Sequence, residues 1–243
     1  MSLRRPRVQV AGISTIADAL ACEAAGVDAI GFTVGLPGGP HNGLDEAGAA
    51  AIIRALPPFV TPVLITYRVT AAEVVPLCRL MGVSQLQLHA PADPAEIARM
   101  REAIPGLKVI LAVNVTGPEA RDLARDRARH ADALILDTYD PASGRHGATG
   151  KTHDWSLSAR IVAEAPVPVI LAGGLTPANV ASAIRRVRPW GVDVHTGVER
   201  PDGTTDHGLV RAFVAIAHAT PVPVRLSEGA PGAAAARTPS PRP

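Results

Sequence analysis

Short apolar or β-branched runs recur along this chain, each followed by an alanine-rich stretch whose apolar positions return with a period near 3.6. The runs predict strands at Val8–Val10, Ala29–Thr33, Val63–Tyr67, Gln85–Leu88, Val109–Val113, Ala133–Leu136, Val169–Ala172 and Gly191–Val194. The stretches between them predict helices at Ile16–Ala25, Asp45–Leu56, Ala71–Met81, Pro94–Ile104, Pro118–His130, Ser156–Ala165, Pro177–Val187 and Leu209–Ala219. Gly26 and Gly82 stand where a left-handed residue ends a helix, and Thr176 with Pro177 reads as a cap and first helical position.

Strand and helix alternating eight times predict one α/β domain, a single closed (β/α)8 TIM barrel over residues 1–219. An open doubly wound sheet is the alternative, and eight units suit it less well. Residues 220–243 lose all periodicity and become rich in Pro, Ala, Gly and Ser, so they are expected to form a disordered C-terminal tail.

Composition narrows the partners. Apolar residues make up 47% of the 243 and aromatics only 3%, so the core must be built from Ala, Val, Leu and Ile. The net charge is +2, and arginines such as Arg54, Arg99, Arg101 and Arg121 lie among acids on helical stretches. That is a solvated surface, and no nucleic-acid partner is expected. Cys22 and Cys78 lie in apolar helical runs and read as buried thiols. The apolar runs are all too short to span a membrane, and the first ten residues have no signal-peptide core, so a cytoplasmic location is expected. A monomer or a homodimer fits equally well.

In such barrels the chemistry lies at the C-terminal strand ends. Strand seven runs into Gly173 and Gly174, where bare backbone and a helix start suit a phosphate. Strand eight runs into Thr196 and Gly197, which add donors to the same site. Asp137 follows an apolar run at the end of strand six, where burial raises a carboxylic acid toward general-acid range. His41, His89 and His195 mark other strand ends and are candidates for acid–base or anion-recognition roles. No spacing suggests metal ligands, and no cofactor is expected.

The loop "SGRHGATGKTHDW" carries Gly144, Gly147 and Gly150, then Lys151 and Asp154. A nucleotide P-loop requires a glycine five positions before Gly150, and Arg145 stands there. The loop reads instead as a mobile glycine-rich lid over the substrate.

Several stretches, in order from Val8 to Ala219, resemble the phosphoribosylanthranilate isomerase family of tryptophan biosynthesis. They are "QLQLHA", "LILDT" with "GATGKTHDW", "VILAGGLTPANVASAI" and "VRPWGVDVHTGVE". The resemblance implies an Amadori rearrangement of a phosphoribosylamine. Asp137 is then the acid that opens the ribose ring, a base takes the C2 proton, and Gly173, Gly174, Thr196 and Gly197 hold the phosphate of a small-molecule phosphosugar. Gln9, His41 and His89 fall at substrate-binding positions.

The other half of the pattern differs. The family's opening K-x-C-G motif carries the base on its cysteine, and here Gln9-Val10-Ala11-Gly12 stands in its place. An arginine after strand two binds the anthranilate carboxylate in the family, and His41 occupies that loop here. His195 replaces a serine of the strand-eight motif and is the first candidate for a substitute base. Three readings stay open on sequence: a phosphosugar enzyme with altered substrate or reaction, a true isomerase with a relocated histidine base, and a non-catalytic binder of phosphate ligands. Specialised metabolism is the setting expected for the first.

Overall fold

A computed structural model of the chain describes residues 2–36, 44–140, 145–146 and 152–224. His41, the lid residues Gly144, Gly147, Gly150 and Lys151, and residues 225–243 lie outside the described residues.

Eight strands close into a barrel: β1 Arg7–Ala11, β2 Ala29–Thr33, β3 Thr61–Thr66, β4 Gln85–Leu88, β5 Lys108–Asn114, β6 Ala133–Asp137, β7 Val169–Leu171 and β8 Gly191–Val194. Every pairing around the ring is parallel. Eight helices cross between them: α1 Ile16–Ala24, α2 Glu46–Ala55, α3 Ala71–Met81, α4 Pro94–Ala103, α5 Ala120–Arg127, α6 Trp155–Glu164, α7 Val180–Val187 and α8 His207–His218. The predicted (β/α)8 TIM barrel is the fold.

Side-chain oxygens start most of the helices. Thr15 accepts from Asp18 N–H, Asp45 from Gly48 N–H, Asp93 from Ala95 N–H, Asp154 from Ser156 N–H and Asp206 from Gly208 N–H. Gly82 ends α3 in the left-handed conformation, as the sequence predicts. The start of α7 differs from expectation. Asn179, not Thr176, is the residue before the first helical turn, because its Oδ1 takes the Thr176 N–H and its Nδ2 donates to Gly174 O.

Two apolar layers result. The larger lies between strands and helices and is mostly Val, Leu, Ile and Ala, with Phe32 and Phe213 fully buried in it. The smaller fills the barrel interior with Val63, Ile65, Ile110, Ile135 and Ile170 and with the small residues Ala11, Ala112 and Ala172. Cys22 and Cys78 are buried free thiols, their pKa values pushed up to about 12 and about 11 by burial.

Several strands run further than predicted, and two of the extensions carry residues at the barrel mouth. β1 continues to Ala11, which pairs with Gly31, and β6 continues to Asp137, which pairs with Asn114. The first residues of the stretch expected to be tail are paired. Val222–Pro223 pair antiparallel with Leu3–Arg4, and Val224 N–H donates to Ser2 O at 2.9 Å. The prolines that break periodicity there are compatible with an edge pairing. Among the described residues no helix is long and apolar enough to cross a membrane.

Candidate active site

Asp137 is the last residue of β6, and its side chain sinks into the barrel mouth at 5% exposure. Its Oδ1 accepts the Thr138 N–H at 2.7 Å. Burial pushes its pKa up to about 6, against the opposing pull of the Thr138 N–H and of the His195 charge. Asp193, on β8, is buried as well; burial and the charge of Asp137 push it up to about 7. Two carboxyls of one sign in one enclosure cannot both ionise cheaply, so a proton is retained near neutrality. Such a group can serve as a general acid.

His195 follows β8 directly, and its imidazole lies against the α-carbon of Gly12, the residue after Ala11. Gly12 has a φ of +77°, and any Cβ there would run into the ring. His195 Nε2 is 3.1 Å from Glu199 Oε1. The ring therefore stands beside the position that a reactive side chain at residue 11 would command.

The loops after β7 and β8 are locked together. Gly173 and Gly174 have φ of +79° and +64°, which only glycine adopts without strain. Thr196–Val198 form a single 3-10 turn, and a Cβ on Gly197 would collide with the Leu175 carbonyl oxygen. On the other side a Cβ on Gly173 would strike the Thr138 hydroxyl. Bare backbone from two loops thus converges next to the residue that follows Asp137.

Beneath the mouth, Gln9, Gln87 and Asp193 point inward from β1, β4 and β8. Gln9 Nε2 donates to Gln87 Oε1 at 2.9 Å and to Asp193 Oδ1 at 3.0 Å. Gln87 Nε2 lies 2.7 Å from His89 Nε2, and the His89 ring packs on Tyr67 with centroids 5.5 Å apart. Gln9, expected at a substrate-binding position, is 4% exposed and engaged with these two neighbours. Tyr67 is pushed up to about 12 by burial and by the charge of Asp137.

Sequence reasoning missed three participants. Arg68, just past β3, lies across Gly35 at the end of β2 and pairs with Glu46 at 3.2 Å. His153 bridges Thr138 Oγ1 (3.1 Å) and Ser158 Oγ (2.7 Å), tying together the two ends of the loop between β6 and α6. Burial pushes its pKa down to about 4, so it is neutral. Asp193 is the third. Its signal was present, since "GVDV" puts an acid at an inward position of an apolar strand. Among the described residues no group of three or more His, Cys, Asp or Glu side chains is arranged to hold a metal ion.

The geometry agrees with comparisons to known proteins. The family model described as N-(5'phosphoribosyl)anthranilate (PRA) isomerase matches residues 47–216. N-(5'-phosphoribosyl)anthranilate isomerase 2 of Methanosarcina mazei is 40% identical over 208 residues, spanning 86% of this chain and 92% of that protein. The phosphoribosyl anthranilate isomerase of Thermotoga maritima superposes with a TM-score of 0.76 at 31% identity, covering 87% of this chain and 98% of that one. A phosphoribosyl anthranilate isomerase solved in complex with reduced 1-(o-carboxyphenylamino)-1-deoxyribulose 5-phosphate gives 0.71 at 28% identity, with coverage of 87% and 98%. With a family model matched over most of its length and relatives at this identity aligned nearly end to end, the chain belongs to the phosphoribosylanthranilate isomerase family.

Proposed function

We propose that this protein catalyses the Amadori rearrangement of N-(5'-phosphoribosyl)anthranilate, with Asp137 as general acid and His195 as general base. The observation that carries the reading is the seat of the His195 ring against Gly12, beside the alanine that stands where the family resemblance expects a cysteine. The curated isomerases related to this chain along most of its length support the same substrate.

The protonated Asp137 carboxyl donates to the ribose ring oxygen, the C1–O bond breaks, and the nitrogen lone pair forms the C1–N double bond. His195 then takes the C2 proton, and those electrons move to give the enolamine, which tautomerises to the amino ketose. Nε2, the His195 nitrogen nearest Gly12, takes the proton, and Glu199, 3.1 Å from that nitrogen, balances the imidazolium that forms. The low-dielectric mouth, which raises Asp137, suits it to donate. Gly173, Gly174, Thr196 and Gly197 receive the phosphate through backbone N–H groups and a hydroxyl. Arg68, lying across the end of β2, takes the part of the carboxylate-binding arginine that the resemblance expects after strand two.

Ala11 favours a second reading, in which the phosphate loops and Asp137 act on a different phosphosugar. One experiment separates the two. Expression in a tryptophan auxotroph that lacks the isomerase should restore growth under the first reading, and the Asp137→Asn variant should not. Failure of the wild-type chain, made in soluble form, to restore growth or to turn over the purified substrate overturns the first reading.

A further inference from the structure

Three contacts inside the barrel have a direction. An amide nitrogen only donates, an amide oxygen only accepts, and an ionised carboxylate only accepts. With Asp193 ionised, Gln9 Nε2 gives one N–H to Asp193 Oδ1 and the other to Gln87 Oε1. Gln87 Nε2 then faces His89 Nε2 as a donor, so the histidine nitrogen accepts. A neutral imidazole that accepts at Nε2 carries its proton on Nδ1.

A second arrangement also satisfies every contact, and it is the full inverse of the first. A protonated Asp193 donates to Gln9 Oε1, Gln87 Nε2 donates to the same oxygen, and Gln87 Oε1 accepts from a His89 Nε2–H. Turning one amide without the other sets donor against donor or acceptor against acceptor. Gln9 and Gln87 are buried at 4% and 1% exposure, where an unpaired amide group carries its full desolvation penalty. The mixed arrangements are therefore suppressed.

We propose that Gln9 and Gln87 are positioning residues that relay the protonation state of Asp193 on β8 to His89 after β4, on the opposite side of the barrel. An ionised Asp193 admits the first arrangement alone and holds the His89 proton on Nδ1; a protonated Asp193, which has both a donor and an accepting oxygen, admits the second as well, so the Nε2–H form of His89 becomes populated. Among the described residues, groups on neighbouring elements bias the two ends. Asp193 is faced by Asp137 from β6 and by His195 from the loop after β8, and His89 by Tyr67 from the end of β3. Burial and the Asp137 charge put the Asp193 transition near neutral pH. The relay concerns proton placement alone and holds whichever phosphosugar is the substrate.

The test is nuclear magnetic resonance on the full chain labelled with 15N-histidine and 13C-aspartate. The His89→Gln and Asp193→Asn variants assign the two signals. The expected result is that the His89 nitrogen shifts move from an averaged pattern containing the Nε2–H form to the pure Nδ1–H pattern with the midpoint of the Asp193 carboxyl titration. In Gln87→Leu the two titrations separate, and Gln9→Leu, which cuts the other link, does the same. A His89 that keeps one tautomer while Asp193 titrates, or that tracks Asp193 equally well in either leucine variant, overturns the proposal. The readout involves no turnover, so it stands or falls apart from the assigned reaction.

Discussion

The His195 imidazole and the α-carbon of Gly12 are in direct contact, and the φ of +77° at Gly12 makes that approach possible. Removing the ring in His195→Ala is expected to lower kcat by about 10²–10⁴-fold, the usual contribution of a positioned base, with KM little changed. Steady-state kinetics on the purified variant check this. Gly12→Ala should do similar damage, because its methyl group occupies the space of the ring.

Cysteine at position 11 offers a complementary result. Ala11 ends β1 at the barrel mouth, 8% exposed, next to Gly12 and across from Gly31. Adding Ala11→Cys to the His195→Ala protein is expected to recover activity by about tenfold or more, since a thiolate there can act as base. The regained activity should be sensitive to a thiol-alkylating reagent, and measuring rates before and after alkylation decides it.

The acid limb has its own pH signature. Asp137 donates only when protonated, and its pKa is raised to about 6. The rate constant kcat/KM should therefore fall on the alkaline side, about tenfold per pH unit once Asp137 is ionised. Asp137→Asn should abolish that limb together with at least 10²-fold of the rate, roughly the lower bound for a lost general acid. A pH–rate profile of both proteins is the measurement.

Asp193 should cost stability. Its folded pKa of about 7 exceeds its ordinary value of 3.8, so the native state binds the proton more tightly. Stability is then lost as pH rises from the unfolded value through the folded one, and the penalty is complete above it. Asp193→Asn is expected to be more stable than wild type above pH 8, by on the order of 1–3 kcal/mol, and to lose the advantage below about pH 4. Urea denaturation at the two pH values tests the sign.

Arg68 and Gly197 address binding rather than chemistry. Losing charged hydrogen bonds of about 1.5–3 kcal/mol in Arg68→Ala should raise KM by roughly tenfold to a hundredfold, with partial recovery in Arg68→Lys. Gly197→Ala should weaken inhibition by inorganic phosphate, because its methyl group must push against the Leu175 backbone. Inhibition constants for phosphate measured on both variants separate the two ends of the substrate.

The barrel was legible in the strand–helix alternation because each unit carries its own apolar period. What sequence could not reveal arises only on closure. Alanine has little strand preference, so the sequence predicts that β1 ends at Val10, and it is pairing with Gly31 that carries the strand to Ala11. The contact of Arg68 with Gly35 joins two strand ends, and the chain between them gives no hint of it. Gln9, Gln87 and Asp193 each look like a lone polar residue in an apolar strand, and their meeting depends on the register of a closed ring. Asp137 and the glycines after β7 and β8 are legible as candidates because short motifs carry them.

The antiparallel pair of Leu3–Arg4 with Val222–Pro223 has a practical side. The two segments lie next to each other at the base of the barrel, where β1 begins, and the reacting groups stand at the opposite rim. A short bridge from Val224 to Ser2 would therefore let the chain be reopened in a helix-to-strand loop at that same base. Such a circularly permuted protein would keep the whole rim in its original sequence neighbourhood.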